Sequence, residues 1–307
     1  MNNEKKFKIR IEDIANYSTV PFTIFDAKDK ILCRKGDLLD SKLLSRLSMQ
    51  DIFKIDTTSE PESGFGIVSK ISKETTEYVI SITQELLEKA EKGEAPSINA
   101  CMDARDRIYN EVTANIELIQ HIGELRIYYD DYNLSHGINV STLSTAIGIK
   151  LGLEKDELKA LAMGALLHDI GKTKIPKQLI NKPGKLTAKE FEVVKLHAPL
   201  GYKIIRGEYS INGVVASVAL DHHERYDGSG YTKSKEGEMI NKFAQIVSIA
   251  DVYDASSSNK VYAGANPPNQ TIKEMLKSNK HFNPRVLYTL VHMVNYNTGS
   301  LKEKIAT

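Results

Sequence analysis

Titratable residues interrupt the most apolar helical stretches of this chain, and this limits how it can fold more than any other feature. Leu166-Leu167 runs directly into His168-Asp169, with Gly171 two residues on. The apolar run at residues 211–219 leads into His222-His223, and Asp251 lies inside the apolar helical pattern of residues 243–253. An imidazole or carboxylate left unpaired in such a place is costly to bury. The cost is offset if the helices converge and the groups share a partner. His197 and His136 complete a set of five of the eight histidines, with two aspartates. Imidazole and carboxylate together suit iron, manganese, zinc or nickel. The set contains no cysteine, which argues against a thiolate-based structural zinc site. A lone helical histidine is ordinarily a surface or hydrogen-bonded residue, and His121, His281 and His292 are read that way.

The 307 residues suffice for one large domain and a small one. Charged residues make up 26 % and the net charge is +1, so no global field draws the chain to DNA or to a membrane. Cys33 and Cys101 form no CxxC pair and read as two buried thiols. The start has no apolar stretch of a secretory signal, so a cytoplasmic location is expected.

Residues 1–70 read as a small α/β module. Strands are expected at residues 22–25 and 31–33 around a polar turn, then a leucine-spaced helix at 39–47 and a third strand near 52–55. Residues 71–97 read as a connecting helix and linker, the helix covering residues 74–92. From residue 98 to 307 the pattern is almost wholly helical. Gly152 and Gly171 stand where helix ends are expected. Thr187 and Glu190 form a capping box that opens the helix leading to His197.

In order along the chain stand Ser135-His136, Leu166-Leu167-His168-Asp169-Ile170-Gly171-Lys172, Lys182-Pro183-Gly184-Lys185-Leu186 and His197. His222-His223-Glu224-Arg225-Tyr226-Asp227-Gly228-Ser229-Gly230-Tyr231 and Ala250-Asp251-Val252-Tyr253-Asp254-Ala255 follow. Over roughly residues 125–295 this series resembles the HD-GYP family of HD-domain phosphohydrolases. The resemblance implies a mainly α fold, an HD-type helical bundle behind the α/β module. It implies metal ligands at His136, His168, Asp169, His197, His222, His223 and Asp251, with Asp169 bridging two transition-metal ions. Iron is the first expectation, manganese or another divalent metal the alternative. The implied activity is hydrolysis of a cyclic dinucleotide, cyclic di-GMP, by a hydroxide between the two metals. Lys172 is the expected cation for the phosphate, catalytic beside Asp169. Lys182, Gly184, Lys185, Tyr231, Asp254 and Lys260 are the expected substrate contacts.

The chain also departs from the family pattern. Some members hold a third metal with a Glu four residues before the first His. Here that position is Tyr132, so two metals are expected. The GYP tripeptide is Gly230-Tyr231-Thr232, without the proline, and the loop at residues 229–236 is expected to be mobile. Where the family usually carries two arginines, this chain has Lys260 and Ala263. Lysine keeps the charge without the bidentate fork, and alanine loses both. These changes keep two alternatives in view. One is a weakly active or inactive relative that binds nucleotide and signals through a protein partner docking on the N-terminal module or the GYP-like loop. The other is a phosphohydrolase of another nucleotide.

Overall fold

The computed structural model describes residues 71–116, 132–257 and 268–294, with shorter pieces between residues 24 and 55. Two compact units divide the chain, Met1–Val68 and Ser69–Thr307. In the first, β1 (Ile24–Phe25) lies between β2 (Ile31–Cys33) and β3 (Lys54–Ile55), antiparallel to both. Ile24 stands opposite Cys33 on one side and Ile55 on the other. Cys33 and Leu47 are buried. Asp40 accepts a hydrogen bond from the Leu43 amide, opening the helical turn expected there.

The second unit is built from helices whose ends the sequence specifies. α1 (Lys73–Lys92) starts at Ser72, whose hydroxyl accepts from the Thr75 amide, and stops at Gly93 in the left-handed region. Ser97 caps α2 (Ile98–Asn115) in the same way. α3 (Tyr132–Lys150) is followed by α4 (Lys155–Leu167), opened by a Glu154/Glu157 capping box. After the short α5 (Lys177–Ile180) comes α6 (Ala188–Lys195), with both halves of the Thr187/Glu190 box formed. α7 (His197–Lys203) runs into a π turn, and Asn212 caps α8 (Gly213–Asp221). α9 (Lys242–Ser257), α10 (Pro268–Lys277) and α11 (Pro284–Met293) complete the described residues.

α3 is the central helix. Residues 134–148 are buried all round, as a helix without a polar face must be. Three of its hydroxyls bond to carbonyls: Ser141 Oγ donates to Ala162 of α4, Thr142 Oγ1 to Ile138 and Thr145 Oγ1 to Ser141, while Ser144 Oγ is buried without a partner. The larger core gathers Ile138 and Leu143 of α3, Val247 and Ile249 of α9, and Leu290 of α11. A second core joins Met163 and Leu167 of α4 with Ile205 and Ala219. α1 contributes to both, through Val79 to the first and Leu86 to the second. No described helix is long and apolar enough to cross a membrane.

Gly171 works differently from the helix-end role its position suggests. It lies in a 3-10 turn, Ile170–Lys174, and its φ is not positive. A Cβ there would sit 1.9 Å from the His197 carbonyl oxygen and 2.5 Å from the Gly201 amide nitrogen. The missing side chain lets the turn after α4 lie directly on α7. Gly171→Ala should therefore destabilise the protein by about 1–3 kcal/mol through overpacking. Chemical denaturation checks this, and a midpoint equal to that of the parent would mean the close approach does not exist.

Candidate metal centre

The ends of α4, α6 and α8 meet beside α3 and α9, and the seven expected ligands meet with them. His136 comes from α3, His168 and Asp169 follow α4, and His197 opens α7. His222-His223 follow α8, and Asp251 lies on α9. His168 and His222 are fully buried, while Asp169 and Asp251 keep 18 % and 13 % of their side chains exposed. The cluster is therefore reached by solvent through its carboxylates more than through these two imidazoles.

Hydrogen bonds fix which way the ring nitrogens face. Nδ1 of His168, His197 and His222 meets the carbonyl oxygens of Ala165, Val194 and Ala219, at 2.7, 2.7 and 2.9 Å. A carbonyl can only accept, so each Nδ1 carries the hydrogen and the neutral ring turns the Nε2 lone pair inward. His136 Nδ1 lies 2.8 Å from the Asp254 carboxylate, to the same effect.

The inward atoms then face one another. His197 Nε2 and His222 Nε2 are 3.3 Å apart. His168 Nε2 lies 3.3 Å from Asp169 Oδ2, and His136 Nε2 lies 3.2 Å from Asp251 Oδ1. The two Asp169 oxygens point to different groups. Oδ2 faces His168 and His136, at 3.3 and 3.8 Å, while Oδ1 faces His197 and His222, at 3.5 and 3.7 Å. His168 Nε2 and Asp169 Oδ1 are buried without a hydrogen-bond partner. Lone pairs and carboxylate oxygens crowded this closely need a cation between them.

Protons supply that charge poorly. Burial, reinforced by the neighbouring imidazoles, holds His222 well below the ordinary histidine range. Burial pushes His223 down to about 3 and lowers His197 as well. His136 is the exception: burial opposes its charge, but hydrogen bonds to Asp251 and Asp254 raise it to about 9. Burial would raise the Asp169 pKa, yet the charges of Lys172 and His168 hold it well below the carboxylate range. Three three-residue groups have donor atoms close enough to hold an ion: His136/His168/Asp251, His197/His222/His223, and His168/Asp169/His222 between them. Neutral imidazoles and ionised carboxylates are the species that metals bind.

The remaining expected residues divide. Lys172 Nζ is hydrogen-bonded to Asp169 Oδ2, with 37 % of its side chain exposed at the opening. The Tyr231 ring stacks on His223 with centroids 4.6 Å apart. Asp254, expected to touch substrate, is instead fully buried and occupied with His136 Nδ1, so its role is to position that ring. Lys182 is paired with Glu190 at 2.6 Å, Lys185 is exposed, and Gly184 turns the chain with φ +94°. Lys260, Ala263 and the Tyr132 side chain lie outside the described residues.

The loop at residues 229–236, expected to be mobile, is instead anchored by a residue the sequence reading passed over. Glu224 is 2 % exposed, and its carboxylate accepts from Thr232 Oγ1 at 2.8 Å and from the amides of Lys233 and Lys235. Lys235 Nζ pairs with the buried Asp221 carboxylate at 2.6 Å. Thr232 has φ +114°, a conformation closed to proline, so the departure from GYP goes with a different local backbone. Gly230 is required here, since a Cβ would meet the Arg225 amide nitrogen at 2.3 Å. Glu224 and Arg225 stand within the His222–Tyr231 motif, which was the signal available for both.

Residues 107–286 match the HD domain family. The chain thus belongs to the HD-domain family, in the HD-GYP branch whose motifs it carries. Its relatives include the Pseudomonas aeruginosa protein named cyclic di-GMP phosphodiesterase PA4108. The two are 35 % identical over 173 residues, 56 % of this chain and 42 % of the relative. The cyclic di-GMP phosphodiesterase response regulator RpfG of Xanthomonas campestris is 43 % identical over 127 residues, 41 % of this chain and 34 % of RpfG. The chain thus spans less than half the length of either relative. Among solved structures, Bd1817, a HDG"Y"P protein from Bdellovibrio bacteriovorus, shares the fold. Its TM-score is 0.58 at 19 % identity, covering 95 % of this chain and all of Bd1817.

The Lys182–Glu190 pair gives a direct test of whether Lys182 is available to a ligand. Hydrogen bonds from Lys182, then from Thr187, lower the Glu190 pKa to about 2. A depressed carboxylate contributes stability above its ordinary pKa and loses it as pH falls through the folded value. That contribution should persist through mildly acidic pH and disappear only near pH 2. Carbon-detected NMR titration should find Glu190 near 2 in the parent and shifted upward in Lys182→Ala. An ordinary Glu190 pKa in the parent would mean that Lys182 is free.

Proposed function

We propose that this chain is a cytoplasmic, metal-dependent phosphodiesterase that hydrolyses a cyclic dinucleotide, cyclic di-GMP first, at a binuclear centre. One observation carries the reading: the two oxygens of Asp169 face two separate groups of inward-turned donors. The activity named for the bacterial relatives supports the same substrate class. His136, His168 and Asp251 would hold one ion and His197, His222 and His223 the other, with Asp169 shared. Iron is the first candidate, then manganese. The N-terminal unit would act as a regulatory or interaction module.

Two bound ions would supply a water made nucleophilic at neutral pH and positive charge for the phosphate oxygens. The protein's own residues do the rest. The carbonyls of Ala165, Val194 and Ala219 and the Asp254 carboxylate keep the ring nitrogens aimed inward, so no reorientation is needed on binding. Lys172 presents a cation at the opening, where charge on the phosphoryl oxygens grows. Tyr231 covers one face of His223 and borders the entrance.

A second reading rests on Lys260 and Ala263, which weaken the family's phosphate grip. In that case the chain binds nucleotide without significant turnover and signals through protein contacts. Incubating metal-loaded protein with cyclic di-GMP and separating the products by chromatography decides between the two. Linear product supports hydrolysis, and binding without product supports the second reading.

Two variants test the assigned roles. Asp169→Asn should lose both ions by elemental analysis, because that carboxylate alone serves both groups. Retention of two ions would refute the shared role. Lys172→Ala should keep its metal and lose roughly 10²–10³ in turnover, the usual cost of removing one group aimed at transition-state charge. Loss of metal would make Lys172 structural instead.

A further inference from the structure

Beyond the metal ligands, aromatic rings continue outward from the centre in an unbroken path. His223 stacks on Tyr231 at 4.6 Å with 27° between the planes. Tyr231 meets Phe191 of α6 edge to face, with centroids 5.9 Å apart. Phe191 is 42 % exposed, so a face of its ring is open to solvent beside this path. Lys195, one helical turn further along α6, holds Nζ 4.9 Å from the Phe191 ring centre and 5.4 Å from that of Tyr231. Lys195 also pairs with Glu192 at 2.7 Å, which fixes its position on this face.

α6 joins this surface directly to the centre. Its Val194 carbonyl binds His197 Nδ1, so the helix that carries Phe191 and Lys195 also aims a candidate ligand. An exposed ring beside a cation, next to a phosphate-directed site, has the chemistry of a nucleobase platform. Every base offers a π face to stack, and the ammonium adds attraction for the carbonyl oxygens of a purine. Tyr231 joins the exposed ring to His223, so a base on this surface lies one nucleotide's reach from the centre.

We propose that Phe191, with Tyr231 and Lys195, forms a purine-stacking subsite for a nucleotide whose phosphate lies at the metal centre. This rests on the phosphodiesterase reading for the phosphate and goes beyond it in assigning the base. Phe191 is exposed, so its replacement leaves the core intact. The chain contains no tryptophan, so Phe191→Trp installs a single fluorophore at the proposed contact.

The probes are GMP and inorganic phosphate, titrated into metal-loaded protein by calorimetry. The parent should bind GMP roughly tenfold or more tightly than phosphate, the scale of one stacked base. Phe191→Ala should erase that advantage and leave phosphate binding unchanged. In Phe191→Trp the advantage should return, with emission quenched by GMP and unaffected by phosphate. Equal GMP affinity in the parent and Phe191→Ala, or tryptophan emission indifferent to saturating GMP, would overturn the subsite. A protein that binds neither probe would overturn it too. The two readings fail separately. GMP-dependent quenching without cyclic di-GMP turnover leaves the platform and removes the hydrolase. Turnover with GMP affinity independent of Phe191 leaves the hydrolase and removes the platform.

Discussion

The Asp169 carboxylate sits where three helix ends meet, ringed by imidazoles whose protons are turned away from it. The bonds that turn those protons outward also finish the helices. Ala165, Val194 and Ala219 lie in the last turns of α4, α6 and α8, where carbonyls have capacity to accept a further hydrogen bond. In each case the ring of the histidine three residues on meets that carbonyl through Nδ1. One hydrogen bond therefore caps a helix and selects a tautomer. Helix ends and site geometry cannot be altered independently, and Gly171 holds them together by allowing the turn after α4 to touch α7.

The second fixed point is Glu224. A buried carboxylate with 2 % exposure would be a liability unless its oxygens were filled. The loop at residues 229–236 fills them with two amides and the Thr232 hydroxyl. The stiffness that a proline would give through its ring is here given by a polar latch. The latch holds Tyr231, the residue before Thr232, against His223. With threonine in place of the GYP proline, this chain fixes the tyrosine by polar contacts to Glu224.

The convergence of imidazoles and carboxylates was legible in the sequence because burial makes titratable residues conspicuous. His168-Asp169 after Leu166-Leu167 and Asp251 inside an apolar helix had no inexpensive surface explanation. One helix start was legible through its cap, the Thr187/Glu190 box, whereas the Ser72 cap emerged only from the folded chain. Other roles depend on which atoms meet across long separations, and the one-dimensional pattern does not carry that. Asp254 lies 118 residues from His136 and bonds to its Nδ1, so its place in a motif could not tell support from substrate contact. Gly171 reads like a helix stop until the carbonyl of His197 is seen pressing on it. The positive φ of Thr232 and the pairing of Lys182 with Glu190 are likewise properties of the folded chain.

The distribution of cations bears on how a nucleotide would be held. Arg225 is drawn inward, its Nη1 donating to Ser248 Oγ at 2.6 Å, and burial lowers its pKa. Lys182 and Lys235 are occupied by Glu190 and Asp221. Among the described residues near the centre, Lys172 lies on Asp169, and Lys195, paired with Glu192, lies over the aromatic rings. With alanine at position 263, this chain also has fewer charges than its family for gripping phosphates. A ligand would then be retained by metal coordination at its phosphate and by stacking at its base. Stacking on Phe191 is tolerant of which base is present, while the phosphate fixes where the scissile bond lies. Under the proposed stacking, the ring at position 191 would take over part of the grip that charge does not supply.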